Sequence, residues 1–183
     1  KVTMRKESIV VMEISEKLRN ELIRQGATVV MTREAQDVFH TNMERCQIAE
    51  DAGAFIMLRL HADMWENTAK RAISVYTPLN SDYAKAVADK KTYEEMGWLM
   101  LDSMKRAVGY RLDTTTGYVH QGDGFVGNNW AKMICFLIEM GFLSNVQDEH
   151  LLSQPVYQQW LAEGMAQGVY EIAVYRGLIE PTE

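Results

Sequence analysis

Apolar positions along this chain alternate between helical spacing and short unbroken runs, and the alternation itself outlines a fold. Val11, Ile14, Leu18 and Leu22 recur at helical spacing, which predicts an amphipathic helix over 7–25. A β-branched tract predicts a strand near 28–32, followed by a loop from Glu34 to Phe39 and a helix near 41–52. Further apolar runs predict strands over 54–60 and 72–77, the second closed by Pro78. Residues 83–108 read as helix, interrupted near Asp89 to Thr92, with Met96, Leu99, Met100, Ser103 and Ala107 as its buried stripe. The tract 109–131 is rich in Gly, Thr, Asn and Asp and predicts a long loop bordering a cleft. A strand over 133–139 and helices over 146–152 and 154–176 complete the pattern. Strands alternating with helices predict an α/β fold: a mostly parallel twisted sheet with helices on both faces, in three layers. No linker, repeat or low-complexity tract divides the chain, so 1–183 is expected to be one domain.

Chemistry-bearing residues fall at the ends of the predicted strands. Glu139 closes the run Met133 to Ile138 and is followed by Met140-Gly141. In open α/β sheets ligands bind beyond the carboxyl ends of the strands, so a carboxylate there is placed for catalysis or, more blandly, for capping a turn. His61 follows Ala54 to Leu60 in the same way and is either a metal ligand or a hydrogen-bonded structural residue. Glu7 opens the first helix, where the helix dipole alone would favour a carboxylate. Arg59 can bind a carboxylate or phosphate bidentately, although pairing with a nearby Asp or Glu is the simpler reading.

The order and wording of these segments resemble the catalytic domain of zinc-dependent N-acetylmuramoyl-L-alanine amidases of the type 3 class. Glu7 with its helix, then GATVVMTRE (26–34), is similar to the family's Glu-helix-strand-Thr-Arg block. Arg45 with Ile48-Ala49 matches its Arg-x-x-x-Ala helix, LRLHAD (58–63) its His-bearing strand end, and LIEMGFLSN (137–145) its catalytic block. The wording of LRLHAD and of GNNWAK (127–132) looks most like clostridium-type members. The resemblance implies one Zn²⁺ held by His, Glu and His, with Glu7 as the carboxylate ligand and His61 as the second His. It makes Glu139 the general base. Arg59, where the family's pattern has Ser, and Asn129 are candidate substrate-binding residues.

One element of that pattern is missing. The family's first His sits in a glycine-rich turn after an opening strand, whereas only Lys1 to Lys6 precede Glu7. Either the chain begins inside the domain, without the first strand, or it is a degenerate member without a complete zinc site. On the first reading this chain alone should bind zinc weakly. Among the remaining histidines, His40, His120 and His150 read as solvated, and His120 is the best placed to substitute. The expected function is hydrolysis of the amide between N-acetylmuramic acid and L-alanine by zinc-activated water. The alternative is a non-catalytic relative that binds peptidoglycan or a partner protein.

Composition narrows the setting. With 183 residues, 47% of them hydrophobic, the chain can bury a sizeable core. A net charge of −6 argues against a nucleic-acid binder. No apolar run approaches the ~18–20 residues that a transmembrane helix needs. The twelve methionines fall at core spacing, and Cys46 and Cys135 read as buried thiols. Peptidoglycan is the implied partner, and the implied location is extracytoplasmic: secreted, wall-bound or spore-associated.

Overall fold

The computed structural model describes residues 5–35, 38–64, 66–109 and 117–181. In chain order its elements are α1 (Glu7–Arg24), α2 (Asn42–Asp51), β1 (Ile56–Asp63), β2 (Ile73–Thr77), α3 (Asp82–Val87) and α4 (Lys90–Gly109). There follow β3 (Gly117–Gln121), α5 (Val126–Trp130), β4 (Ile134–Phe142), α6 (Val146–Leu152) and α7 (Pro155–Tyr175). The four strands form one sheet in the order β1-β4-β2-β3. β1 runs parallel to β4 and β2 parallel to β3, but β2 meets β4 antiparallel, so the sheet is mixed. None of the described helices is long and apolar enough to cross a membrane.

Alternation along the strands divides the sheet into two unlike faces. Ile73, Val75, Ile134, Phe136, Ile138 and Met140 join Val10, Ile14, Met100, Met104, Leu161 and Met165 in the main core. That core lies under α1, α4 and α7. Gly164 and Gly168 let α7 press against α4: a Cβ at Gly164 would lie 2.7 Å from Met104 Cα. The opposite face carries a smaller cluster of Cys46, Ala49, Met57, Ala131, Met133 and Cys135, formed where α2 and α5 cover the start of β1 and β4. Both cysteines are buried free thiols, and burial pushes Cys135 up to about 12. Thr41 and Glu44 close a capping box at the start of α2, with bonds of 3.2 and 2.7 Å.

Three sequence expectations change. Residues 27–33 are irregular rather than a strand, since an extended segment becomes one only when a neighbour completes its ladder. The expected loop 109–131 contains β3 and α5, with 110–116 outside the described residues. β4 runs on through Gly141 to Phe142, and β1 on to Asp63, so neither Glu139 nor His61 is a final strand residue. The interruption expected within 83–108 is present and falls at Ala88 and Asp89, between α3 and α4.

Candidate active site

The face opposite the main core collects the polar residues. His61 on β1 is paired in register with Glu139 on β4, Glu139 with Ser74 on β2, and Ser74 with Tyr118 on β3. In-register residues point the same way, so these four form one row across the sheet. Beyond His61 the register slips by one residue, Asp63 pairing with Phe142. Gly141, at φ 146°, absorbs this bulge. The irregularity follows Glu139 directly.

Glu7 reaches this row from the first turn of α1. Its Oε1 lies 3.2 Å from His61 Nδ1 and accepts the Ala62 amide at 3.2 Å. The hydrogen bond with His61 is the main reason its carboxyl stays below the ordinary range, partly offset by burial. Arg33, whose Nη2 donates to Ser8 O at 3.0 Å, adds a favourable charge. Glu7 and His61 therefore converge, and both face solvent in part, with side chains 45% and 35% exposed. Glu139 is buried, 8% exposed.

The donor chemistry and spacing of this pair suit zinc. Two ligands about 2.0–2.1 Å from one tetrahedral ion stand roughly 3.3 Å apart, close to the observed separation. Among the described residues, however, no group of three or more His, Cys, Asp or Glu is gathered to hold a metal. His120 lies elsewhere, stacked on Tyr76 at 4.9 Å. His150 is exposed on α6, and His40 precedes α2.

Arg59 shares the face of His61. Its Nη1 donates to Asn128 Oδ1 at 3.0 Å and its Nη2 to Asn42 Oδ1 at 2.9 Å, so neutral amides take the place of the expected acidic partner. Gly127 makes room for it, because a Cβ there would lie 2.6 Å from Arg59 Cζ. Asn128, rather than Asn129, meets Arg59; Asn129 donates to Asp123 O at 2.7 Å and accepts from the Ser81 hydroxyl. Asn128 was overlooked in the sequence, where nothing separates two adjacent asparagines. The second half of LIEMGFLSN serves structure. Asn145 caps α6 through the Gln147 and Asp148 amides, and Asp148 pairs with Arg71 at 2.6 Å. An Asn ahead of a helical pattern was the available signal for that cap.

Beside the row, a groove of about 490 Å³ runs along the outer edge of β1. Val11, Leu18 and Leu22 of α1, the segment 27–33, Ile48 of α2, and Ile56, Leu58 and Leu60 of β1 line it, and His61 stands at its end. Phe55 O accepts from Ile134 N at 3.2 Å, whereas the Ala62 amide turns outward to Glu7. The backbone groups of Leu58 and Leu60, of the same parity as Ala62, therefore face the groove.

Comparison with known proteins assigns this architecture. The family model described as N-acetylmuramoyl-L-alanine amidase matches residues 2–171, and the chain belongs to that family. It is a peptidoglycan amidase by class. N-acetylmuramoyl-L-alanine amidase AmiA of Escherichia coli is 25% identical over 195 residues, spanning 90% of this chain and 67% of the relative. Probable cell wall amidase LytH of Staphylococcus aureus is 25% identical over 86% of this chain, which spans about half of that relative's length (47%). The catalytic domain of CwlV from Bacillus (Paenibacillus) polymyxa superposes with a TM-score of 0.79 at 22% identity, covering 97% of this chain and 89% of that one. The CwlD amidase of Clostridioides difficile, solved in complex with the GerS lipoprotein, gives 0.80 at 21% identity over 96% and 90%.

Proposed function

We propose that this chain hydrolyses the amide joining N-acetylmuramic acid to L-alanine in peptidoglycan, outside the cytoplasm, at the row containing His61 and Glu139. The observation that carries this reading is the convergence of Glu7 and His61 at 3.2 Å beside Glu139 on one sheet face. Glu7 and His61 would hold Zn²⁺ together with a further ligand. When bound, zinc lowers the pKa of a water and polarises the scissile carbonyl. The chain's own groups carry the rest. The Ala62 amide fixes Glu7 Oε1 beside the His61 ring. Glu139, one inter-strand spacing of about 4.8 Å from His61, is placed to take a proton from the attacking water and deliver it to the leaving alanine nitrogen. Arg59, held by Asn128 and Asn42, presents a cation on the β1 side, suited to an acidic stem peptide. Asn129, next to Asn128 on α5, is a further candidate for contact with substrate.

The test is Glu139→Gln, assayed on muropeptides with zinc content and melting temperature measured on the same sample. The expected result is a rate loss of about 10²–10⁴-fold with metal content and melting nearly unchanged. A fully active variant would remove Glu139 from the mechanism. A second reading, a non-catalytic peptidoglycan- or partner-binding module, draws on the gathering of only two ligands among the described residues. Zinc-loaded protein that binds muropeptides without cleaving them would establish it.

A further inference from the structure

The row that carries Glu139 continues beyond it. On the side away from His61 comes Ser74, small and buried at 2% exposure, and then Tyr118 on the outer strand β3. Two residues along, on the same face, His120 of β3 is paired with Tyr76 of β2. The two rings stack at 4.9 Å and 19°. Phe125 meets Tyr76 edge-on at 4.8 Å, and Tyr118 leans toward His120 at 5.8 Å. Tyr118 is 47% exposed although it sits on an ordered strand. Four rings thus form a cluster beyond the buried Ser74, with Tyr118 at its exposed edge.

We infer that this cluster of Tyr118, His120, Tyr76 and Phe125 is the glycan subsite, stacking a pyranose ring of the sugar strand whose muramoyl amide lies at Glu139. The inference rests on the proposed function and gives that site a direction. Two inter-strand spacings of about 4.8 Å, roughly 10 Å in all, separate Glu139 from Tyr118. A muramoyl ring joins its amide through a single lactyl link, so the ring and its neighbour in the strand fall within that reach. Apolar ring faces match the axial C–H face of a pyranose, whereas an acidic stem peptide calls for cations and amide donors. Arg59 lies on β1, at the opposite end of the row that runs through Leu137 and Tyr76 to His120. Burial, reinforced by the charge of Lys70, holds His120 below its ordinary value, so at neutral pH it stacks as an uncharged ring. Lys70 itself sits over the Phe142 ring at 4.9 Å. The substrate therefore crosses the sheet with sugar toward β3 and peptide toward β1.

The deciding experiment titrates the protein with peptide-free glycan strands and, separately, with free stem peptide, by calorimetry. It compares wild type, Tyr118→Ala, Tyr118→Phe and Glu139→Gln, with circular dichroism as the folding control. Glycan affinity should fall about tenfold in Tyr118→Ala and persist in Tyr118→Phe and Glu139→Gln, while stem-peptide affinity stays constant. Glycan binding that is absent in wild type, or equal in folded Tyr118→Ala, overturns the subsite. So does a loss confined to the stem peptide, which would make the cluster a peptide site. Because binding needs no turnover, a wild type that holds glycan but cleaves nothing refutes the proposed reaction and leaves the subsite standing.

Discussion

The two faces of the sheet are built on different terms. Against one, three long helices press a continuous apolar layer in which Phe136, Ile138, Met140, Met100 and Met104 are fully buried. Against the other, the short helices α2 and α5 cover only the first turns of β1 and β4, and Arg59, His61 and Glu139 occupy the rest. The first face obtains its stability from area removed from water, a term indifferent to atomic detail beyond volume. The second relies on directional bonds, such as Arg59 to two asparagines and Glu7 to His61 and Ala62. Placing the chemistry on the thin face lets the thick one carry the cost of burying a carboxylate.

Substitutions on each face probe that division. The largest effect on stability is expected for Phe136→Ala, which empties a fully buried site beside the Tyr93 ring, 6.5 Å away. A loss of ~3–5 kcal/mol in urea unfolding is expected. A loss under ~1 kcal/mol would mean that the main core does not hold the fold. On the thin face, Gly127→Ala forces the Arg59 guanidinium out of its place. The expected cost is ~1–3 kcal/mol, with exchange of the Arg59 side-chain N–H protons accelerated in NMR spectra. An unchanged Arg59 signature would show that the thin face is less tightly determined than argued.

The smallest effect concerns pH on the thick side. Glu171 is pushed up by burial, but bonds from Gln167, Ser103 and Arg106 outweigh this and hold it below the ordinary 4.5. A carboxyl lowered by folding contributes stability above its unfolded value and loses it as pH falls through its folded one. Glu171→Gln should therefore cost about 0.5–1 kcal/mol at pH 7, a difference that vanishes below the folded pKa. A difference independent of pH would assign the effect to packing between α4 and α7.

How far the sequence disclosed this molecule depends on which force shaped each part. Periodicity located every helix but the short α5 to within a few residues, and α6 fell on its expected span, 146–152. It also indicated the apolar strands β1, β2 and β4, because area burial writes itself into local pattern. The tract 28–32 misled, since strand formation needs a partner that local pattern does not supply. β3 was missed because Gly117-Tyr118-Val119-His120-Gln121 is a half-exposed edge with little hydrophobic signal. The antiparallel pairing of β2 with β4 is a matter of topology, invisible to any window. Within the site, Glu7, His61 and Glu139 were each nominated by position in their elements, and the structure brings them to one place. Their register partners Ser74 and Tyr118 were not nominated, for a row across strands joins residues remote in sequence.

The outer edge of β1 bears on how the protein behaves in the tube. The amides of Leu58 and Leu60 look into the groove, while those of Met57 and Arg59 belong to the ladder with β4. Deuterium uptake along β1 should accordingly alternate, quick at even positions and slow at odd ones. Such an edge is also a template on which a second extended chain can crystallise its own hydrogen bonds. The molecule's net charge of −6 opposes that encounter, and rising salt screens it. Light scattering that climbs with ionic strength and protein concentration, and subsides when an extended apolar peptide occupies the groove, would mark this edge as the seam of self-association.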